Sequence, residues 1–219
     1  MKKSVDSKII LYHGSEKIIK VPEFGKGEIN NDYGQGFYCT KNKDLAGEWA
    51  VLWTEHDGYI NEYSFDYANL KVLYLNQMRI ENWIAVLVAH RRGEYKKQHK
   101  KRMDTFLDKF GVDISTYDII EGWRADDSFY TYIRDFFAVA LSLEKLKEAM
   151  GFGDLGNQVC LKSKKSFDII EFATYYPASA SQFLKPAQDR DEEARRKYLE
   201  MENPMQGTLL IDLIGRENL

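Results

Sequence analysis

Along this chain the spacing of hydrophobic positions switches between a period of two and a period near four. Ile9-Ile10-Leu11-Tyr12 opens an apolar run that predicts a strand over 8–13. Phe37-Tyr38-Cys39, entered through Gly34 and Gly36, predicts a second strand over 36–40. From Asn42 to about Thr54, Leu45, Trp49 and Leu52 recur at helical spacing, with Asn42 placed to cap the helix start. Gly58 to Phe65 alternates as a strand does, and Leu70 to Leu75 follows as another after an Asp-Tyr-Ala-Asn turn.

The middle third changes character. Ile80, Trp83, Ile84, Leu87 and Val88 mark an amphipathic helix over 79–92, and further helical patterns cover 103–110, 128–141 and 142–150. Tyr117-Asp118-Ile119-Ile120 is a short strand-like run between them. Residues 79–152 therefore read as a mostly helical insert in a strand-rich core. Strands return at Gln158–Leu161 and Asp168–Tyr175, and a strongly charged helix runs from Asp189 to about Glu202 with Ala194, Tyr198 and Met201 as a thin apolar stripe. The end, Thr208 to Ile214, fits a last strand or a docked helix equally well. The expected fold is α+β over a single domain spanning 1–219. It has a split, mainly antiparallel β core, the helical insert and a C-terminal helix.

Composition narrows the class. At 219 residues, 44% hydrophobic and with only four prolines, the chain is long and apolar enough for a substantial core. The formal charge of −3 supplies no global attraction to nucleic acid or to an anionic membrane. A basic run from Arg91 to Arg102 has two readings: a solvated helix face, or a patch that meets an acidic or nucleic-acid target. Cys39 and Cys160 form no metal-ligand spacing with the four histidines and no disulfide framework, which suits a reducing compartment. No apolar run reaches membrane-spanning length, so the expectation is a cytoplasmic protein without a metal.

Two glycine-punctuated segments carry the candidate chemistry. Leu11-Tyr12-His13-Gly14-Ser15 ends a strand on His13, and Asp32-Tyr33-Gly34-Gln35-Gly36-Phe37-Tyr38-Cys39 enters a strand on Tyr38. Glycine beside a strand marks close approach of a ligand or of another backbone. Each segment alone fits a structural histidine or an ordinary aromatic hairpin. Together they suggest a cleft lined by a hydrogen-bonding group and a flat ring.

With these segments the chain resembles the ADP-ribosyltransferase superfamily, in its H-Y-E branch of diphtheria-type toxins and poly-ADP-ribose polymerases. There one strand ends in HG, a second carries tyrosine in a GxGxY-like motif, and a third opens with glutamate. The chain is also similar to a bacterial and phage domain family of unknown function within that superfamily. It shares AGEWA at 46–50, GWRADDS at 122–128, LGNQVCLKS at 155–163 and RDEEARRKY at 190–198.

The resemblance implies a mono-ADP-ribosyltransferase that uses NAD as substrate and a protein or nucleic acid as acceptor. It also implies a toxin-like or phage-defence setting and an antitoxin-like protein partner. His13 would bond a ribose hydroxyl on the adenosine side, the backbone of Gly14 would read the nicotinamide amide, and Tyr38 would stack on the nicotinamide ring. Gly36 belongs to the tyrosine motif. Ser15 and Thr40 are candidates for diphosphate or ribose contacts, and Tyr33 is either a second aromatic wall or a packed loop tyrosine. Gln158 takes the place of the motif glutamate, which removes a charge. Asp126 and Asp127 are candidate suppliers of that charge, although the pair fits a helix cap before Ser128 equally well. Glu171 reads as a solvent-facing strand residue. Two other readings remain open, a catalytically silent NAD-binding or protein-interaction module and RNA 2′-phosphate transfer.

Overall fold

The computed structural model describes residues 8–91, 99–125, 127–153 and 156–216. It is an α+β fold built on two sheets. In the first, β1 (Lys8–Ser15), β3 (Gly58–Asp66) and β7 (Ile170–Ala178) run antiparallel in the order β1-β3-β7. In the second, β2 (Phe37–Cys39), β6 (Asn157–Leu161), β5 (Ile119–Trp123) and β4 (Val72–Tyr74) lie in that order, with only β4 and β5 parallel. Among the described residues a single isolated bridge, Tyr12 to Thr40, joins the sheets.

Period-two alternation sorts the strand side chains into layers. Leu11, Cys39, Phe65, Ile119, Val159 and Leu161 pack between the two sheets. On the far side of the first sheet, α1 (Lys43–Leu52) and α7 (Ala180–Leu199) cover Ile60 and Ala178 with Ala46, Ala50, Val51 and Phe183. On the far side of the second sheet lies the largest cluster. It is formed with α2 (Ile80–His90), α3 (Lys100–Phe110), α4 (Asp127–Phe137), α5 (Leu143–Met150) and α8 (Leu210–Ile214). Every residue of α2 from Trp83 to Val88 is buried, so this helix is core on all sides rather than amphipathic.

Local signals fixed several boundaries. Asn42 caps α1, its side chain accepting from the backbone N–H of Asp44 and Leu45. The chain end is a docked helix, α8, where the Asp212 carboxylate accepts from Leu209 N–H at 2.9 Å and Gly215 at φ 88° ends the turn. Glu171 is exposed on β7 and pairs with Lys8.

Other expectations are corrected. The strand expected from Asp168 begins at Ile170, because Ser163 caps a short helix, α6 (Lys164–Ile169), just before it. The charged helix expected from Asp189 starts at Ala180 and carries Pro186 inside it, with Phe183 and Ala187 continuing its buried stripe. The region 79–152 is rich in helix, yet β5 within it is an inner strand of the second sheet, paired on both edges. Among the described residues no helix is long and apolar enough to cross a membrane.

Candidate functional site

A cleft of about 790 Å³ opens where the end of β1, the start of β2 and Gln158 of β6 meet. It is walled by the connection that runs from Ile19 to Asp32, by Trp49 and Leu52 of α1, and by α7 from Ala187 to Arg195. This volume lies in the range of ligand pockets. His13, Gly14, Gly36, Tyr38 and Gln158 all line it.

Gly14 is required by packing. A Cβ on it would stand 1.9 Å from the Ala46 carbonyl oxygen and 2.7 Å from Ala50 N, so α1 sits directly on the strand backbone. Gly36 is confined in the same way, with the Cys160 Sγ 2.4 Å and the Leu161 carbonyl 2.7 Å from a Cβ position. The two glycines therefore let backbones meet, and the cleft opens beside those meetings.

His13 is half-buried, and its Nδ1 lies 2.7 Å from the Tyr38 carbonyl. A carbonyl only accepts, so Nδ1 carries the proton and the neutral ring keeps Nε2 as an acceptor. Burial lowers the His13 pKa below its usual 6.5, and the Tyr38 carbonyl offsets only part of that effect. The ring leans on Phe37 at 4.3 Å between centroids.

Tyr38 has no free hydroxyl. It donates to the Gly34 carbonyl at 2.6 Å and accepts from Tyr33 N–H at 3.0 Å, which closes the loop that precedes β2. Gly34 holds the φ of 72° that this loop needs. Burial pushes the Tyr38 phenol well above its ordinary range. What it offers the cleft is its ring. Lys162 clasps the same loop from below, donating to the carbonyls of Tyr33 at 2.7 Å and Gln35 at 2.6 Å. Burial lowers the pKa of this lysine.

The connection that walls the cleft is tied down by Asn61, which is fully buried on β3. Its amide nitrogen donates to Ser15 Oγ and to the carbonyls of His13 and Lys17, while its oxygen accepts from Ile19 N–H at 2.8 Å. Tyr63 completes the strap by donating to the Ile19 carbonyl at 2.5 Å.

Three sequence candidates lie elsewhere. Ser15 faces Asn61 and the Lys17 carbonyl. Thr40 is buried, donating to the Asn157 carbonyl and accepting from Asn42 N–H. Tyr33 is a packed residue of the core and not a second wall; it donates to the Trp123 carbonyl at 2.5 Å and accepts from Trp83 Nε1 at 3.1 Å. Asp126 and the side chain of Asp127 lie outside the described residues, and α4 begins at Asp127.

Asp32 is the cleft residue that sequence reasoning missed. It is buried, as is Gln158, whose Nε2 donates to Asp32 Oδ2 at 2.7 Å and to the Trp123 carbonyl at 3.3 Å. Asp32 also accepts from Ala125 N–H at 3.0 Å and the Tyr130 hydroxyl at 2.8 Å, and it pairs with Arg91 at 3.1 Å. The one signal for it was position: Asp32 opens the run that leads to Tyr38. Toward α7, Arg124 stands over the Trp49 ring at 5.3 Å, Arg190 grips Glu48 with both terminal nitrogens, and Arg195 pairs with Asp191 at 2.8 Å. Among the described residues no group of three or more His, Cys, Asp or Glu side chains is placed to hold a metal ion.

A model of a protein family of unknown function, DUF3990, matches residues 9–172, well over half of the chain, and the chain belongs to that family. No curated protein and no solved structure matches it.

Proposed function

We propose that this DUF3990 member transfers a single ADP-ribose unit from NAD to a macromolecular acceptor, either protein or nucleic acid. The observation that carries the reading is the convergence of His13, Gly14, Tyr38 and Gln158, far apart in sequence, on one cleft. Cleaving the bond between nicotinamide and ribose expels a neutral base and leaves positive charge on the sugar, the electronic problem of glycoside cleavage. The chain must hold the base, hold the hydroxyls and position the acceptor.

The unprotonated Nε2 of His13 suits a ribose hydroxyl, which donates. The Tyr38 ring suits the nicotinamide, because its hydroxyl is already engaged. Gln158 suits the 2′-hydroxyl of the nicotinamide ribose. A neutral amide cannot take a proton, so no second ribose is activated and transfer stops at one unit per site.

Incubation of the full chain with labelled NAD tests the reading, with release of nicotinamide expected. His13→Ala and Tyr38→Ala should each weaken NAD binding by about 1–3 kcal/mol, roughly 5- to 150-fold. Unchanged affinity in both folded variants overturns the assignment. Gln158 in place of glutamate favours a second reading, a silent NAD-binding module. That reading predicts bound NAD recovered intact.

A further inference from the structure

Asp32 makes no hydrogen bond outward. Oδ2 accepts from Gln158 Nε2 at 2.7 Å and Ala125 N–H at 3.0 Å, Oδ1 accepts from the Tyr130 hydroxyl at 2.8 Å, and the Arg91 guanidinium lies 3.1 Å from Oδ1 as an ion pair. Three hydrogen bonds and one ion pair thus engage both carboxylate oxygens. Arg91 also balances its charge. The cluster therefore cannot replace a missing catalytic carboxylate by presenting net charge to the cleft.

Its effect falls on Gln158. Both hydrogens of the Gln158 amide are taken, one by Asp32 and one by the Trp123 carbonyl at 3.3 Å. These partners are acceptors only. Turning the amide by half a rotation would set Oε1 against a carboxylate and a carbonyl with no proton between them, which the buried site punishes. Oε1 makes no hydrogen bond to any described residue, and Gln158 lines the cleft. A free glutamine admits a donor or an acceptor with equal ease. This one does not.

We infer that Asp32 is a positioning residue that locks Gln158 as an obligate hydrogen-bond acceptor, so that the ligand group at this point of the cleft must be a donor. The hydrogen bond from Gln158 Nε2 to Asp32 also polarises the amide and strengthens Oε1 as an acceptor. The identity of the donor rests on the reading above, under which it is a ribose hydroxyl of NAD. Specificity follows, because a site built to receive a hydroxyl discriminates against the analogue lacking it.

Two measurements on the full chain test the lock separately from the NAD reading. In a nitrogen-15 spectrum, with the Gln158 amide assigned by its loss in Gln158→Ala, its hydrogens should exchange at least about tenfold more slowly than those of exposed glutamines. In Asp32→Asn that protection should collapse. Exchange in the native protein as fast as in exposed glutamines overturns the inference, whatever NAD does.

The second measurement compares NAD with its analogue lacking the 2′-hydroxyl of the nicotinamide ribose. Native protein should prefer NAD by about tenfold, the value of one hydrogen bond, and Asp32→Asn and Gln158→Ala should bring that to within about twofold. A preference that survives in folded Asp32→Asn overturns the positioning role. A protected amide in a protein that binds neither compound supports the lock and removes the NAD reading alone. If Asp32→Asn does not fold, Gln158→Glu replaces it. Two carboxyls then sit about where a 2.7 Å hydrogen bond stood and must share a proton, so NAD affinity should acquire a pH dependence beyond the one that His13 gives the native protein below pH 6.5. A pH profile that matches native protein overturns the lock.

Discussion

On one side of the cleft, main chain rests on main chain: the Ala46 carbonyl occupies the space a Gly14 side chain would need, and the Leu161 carbonyl does the same at Gly36. Around Asp32, by contrast, side chains hold side chains, with Arg91, Tyr130 and Gln158 gathered about one buried carboxylate. The first wall depends on shape and tolerates no added volume. The second depends on complementary polarity and tolerates no missing partner. A ligand in this cleft would meet a rigid face that sets distance and a polar face that sets which atoms it must present.

Four substitutions or conditions test that contrast. Asp32→Ala should have the largest effect, about 3–5 kcal/mol of stability in urea denaturation, because the nearly buried Arg91 is left without its carboxylate. A loss under 1 kcal/mol would place Arg91 among ordinary surface charges. Gly14→Ala should cost about 1–3 kcal/mol or more by the opposite mechanism, overpacking against a helix backbone that cannot yield. The deficit should be independent of pH and salt, and restoration at high salt would argue against a steric cause.

Third in size is a pH effect on the first wall. Burial lowers the pKa of both His13 and His90 below 6.5, so the unfolded chain binds more protons than the folded one. Stability is complete above that value and falls as the pH drops below it, by up to about 1.4 kcal/mol per pH unit for each group. His13→Asn should flatten the slope between pH 6.5 and 5, measured against the native protein, and an unchanged slope would assign it to other groups. Smallest is Tyr38→Phe, at about 1 kcal/mol, since it removes one loop-closing hydroxyl and keeps the ring. Ligand binding should survive this change and fail in Tyr38→Ala. Equal losses in the two would make the hydroxyl, rather than the ring, the binding element.

The same contrast explains what could be read from the chain. The Asn42 cap, the alternation of β3 and the glycine motifs are local signals, and each depends on residues only a few positions apart. Gly14 and Gly36 were legible as places of close approach, although the approaching groups include α1 and β6 and not only a ligand. Ser15 and Thr40 adjoin the motifs, two residues along from His13 and Tyr38, yet their hydroxyls are engaged by Asn61, the Lys17 carbonyl and the Asn157 carbonyl rather than offered to the cleft. Asp32 gave little local signal, because its partner Gln158 lies 126 positions further on. A lone acid before an aromatic run looks like a turn residue. The early start of α7 was hidden by Pro186 and by charges that mask a stripe of small buried side chains.

The place of β6 has a consequence for biosynthesis. It is inserted between β2 and β5, strands made long before it, and it brings Gln158 to Asp32. A nascent chain that has not yet passed Leu161 leaves β2 and β5 with facing unpaired edges, the kind of surface that recruits other strands. The cleft comes into being only when this strand closes the gap. A ribosome that stalls upstream of it releases a chain with the His13 and Tyr38 motifs in full and no site.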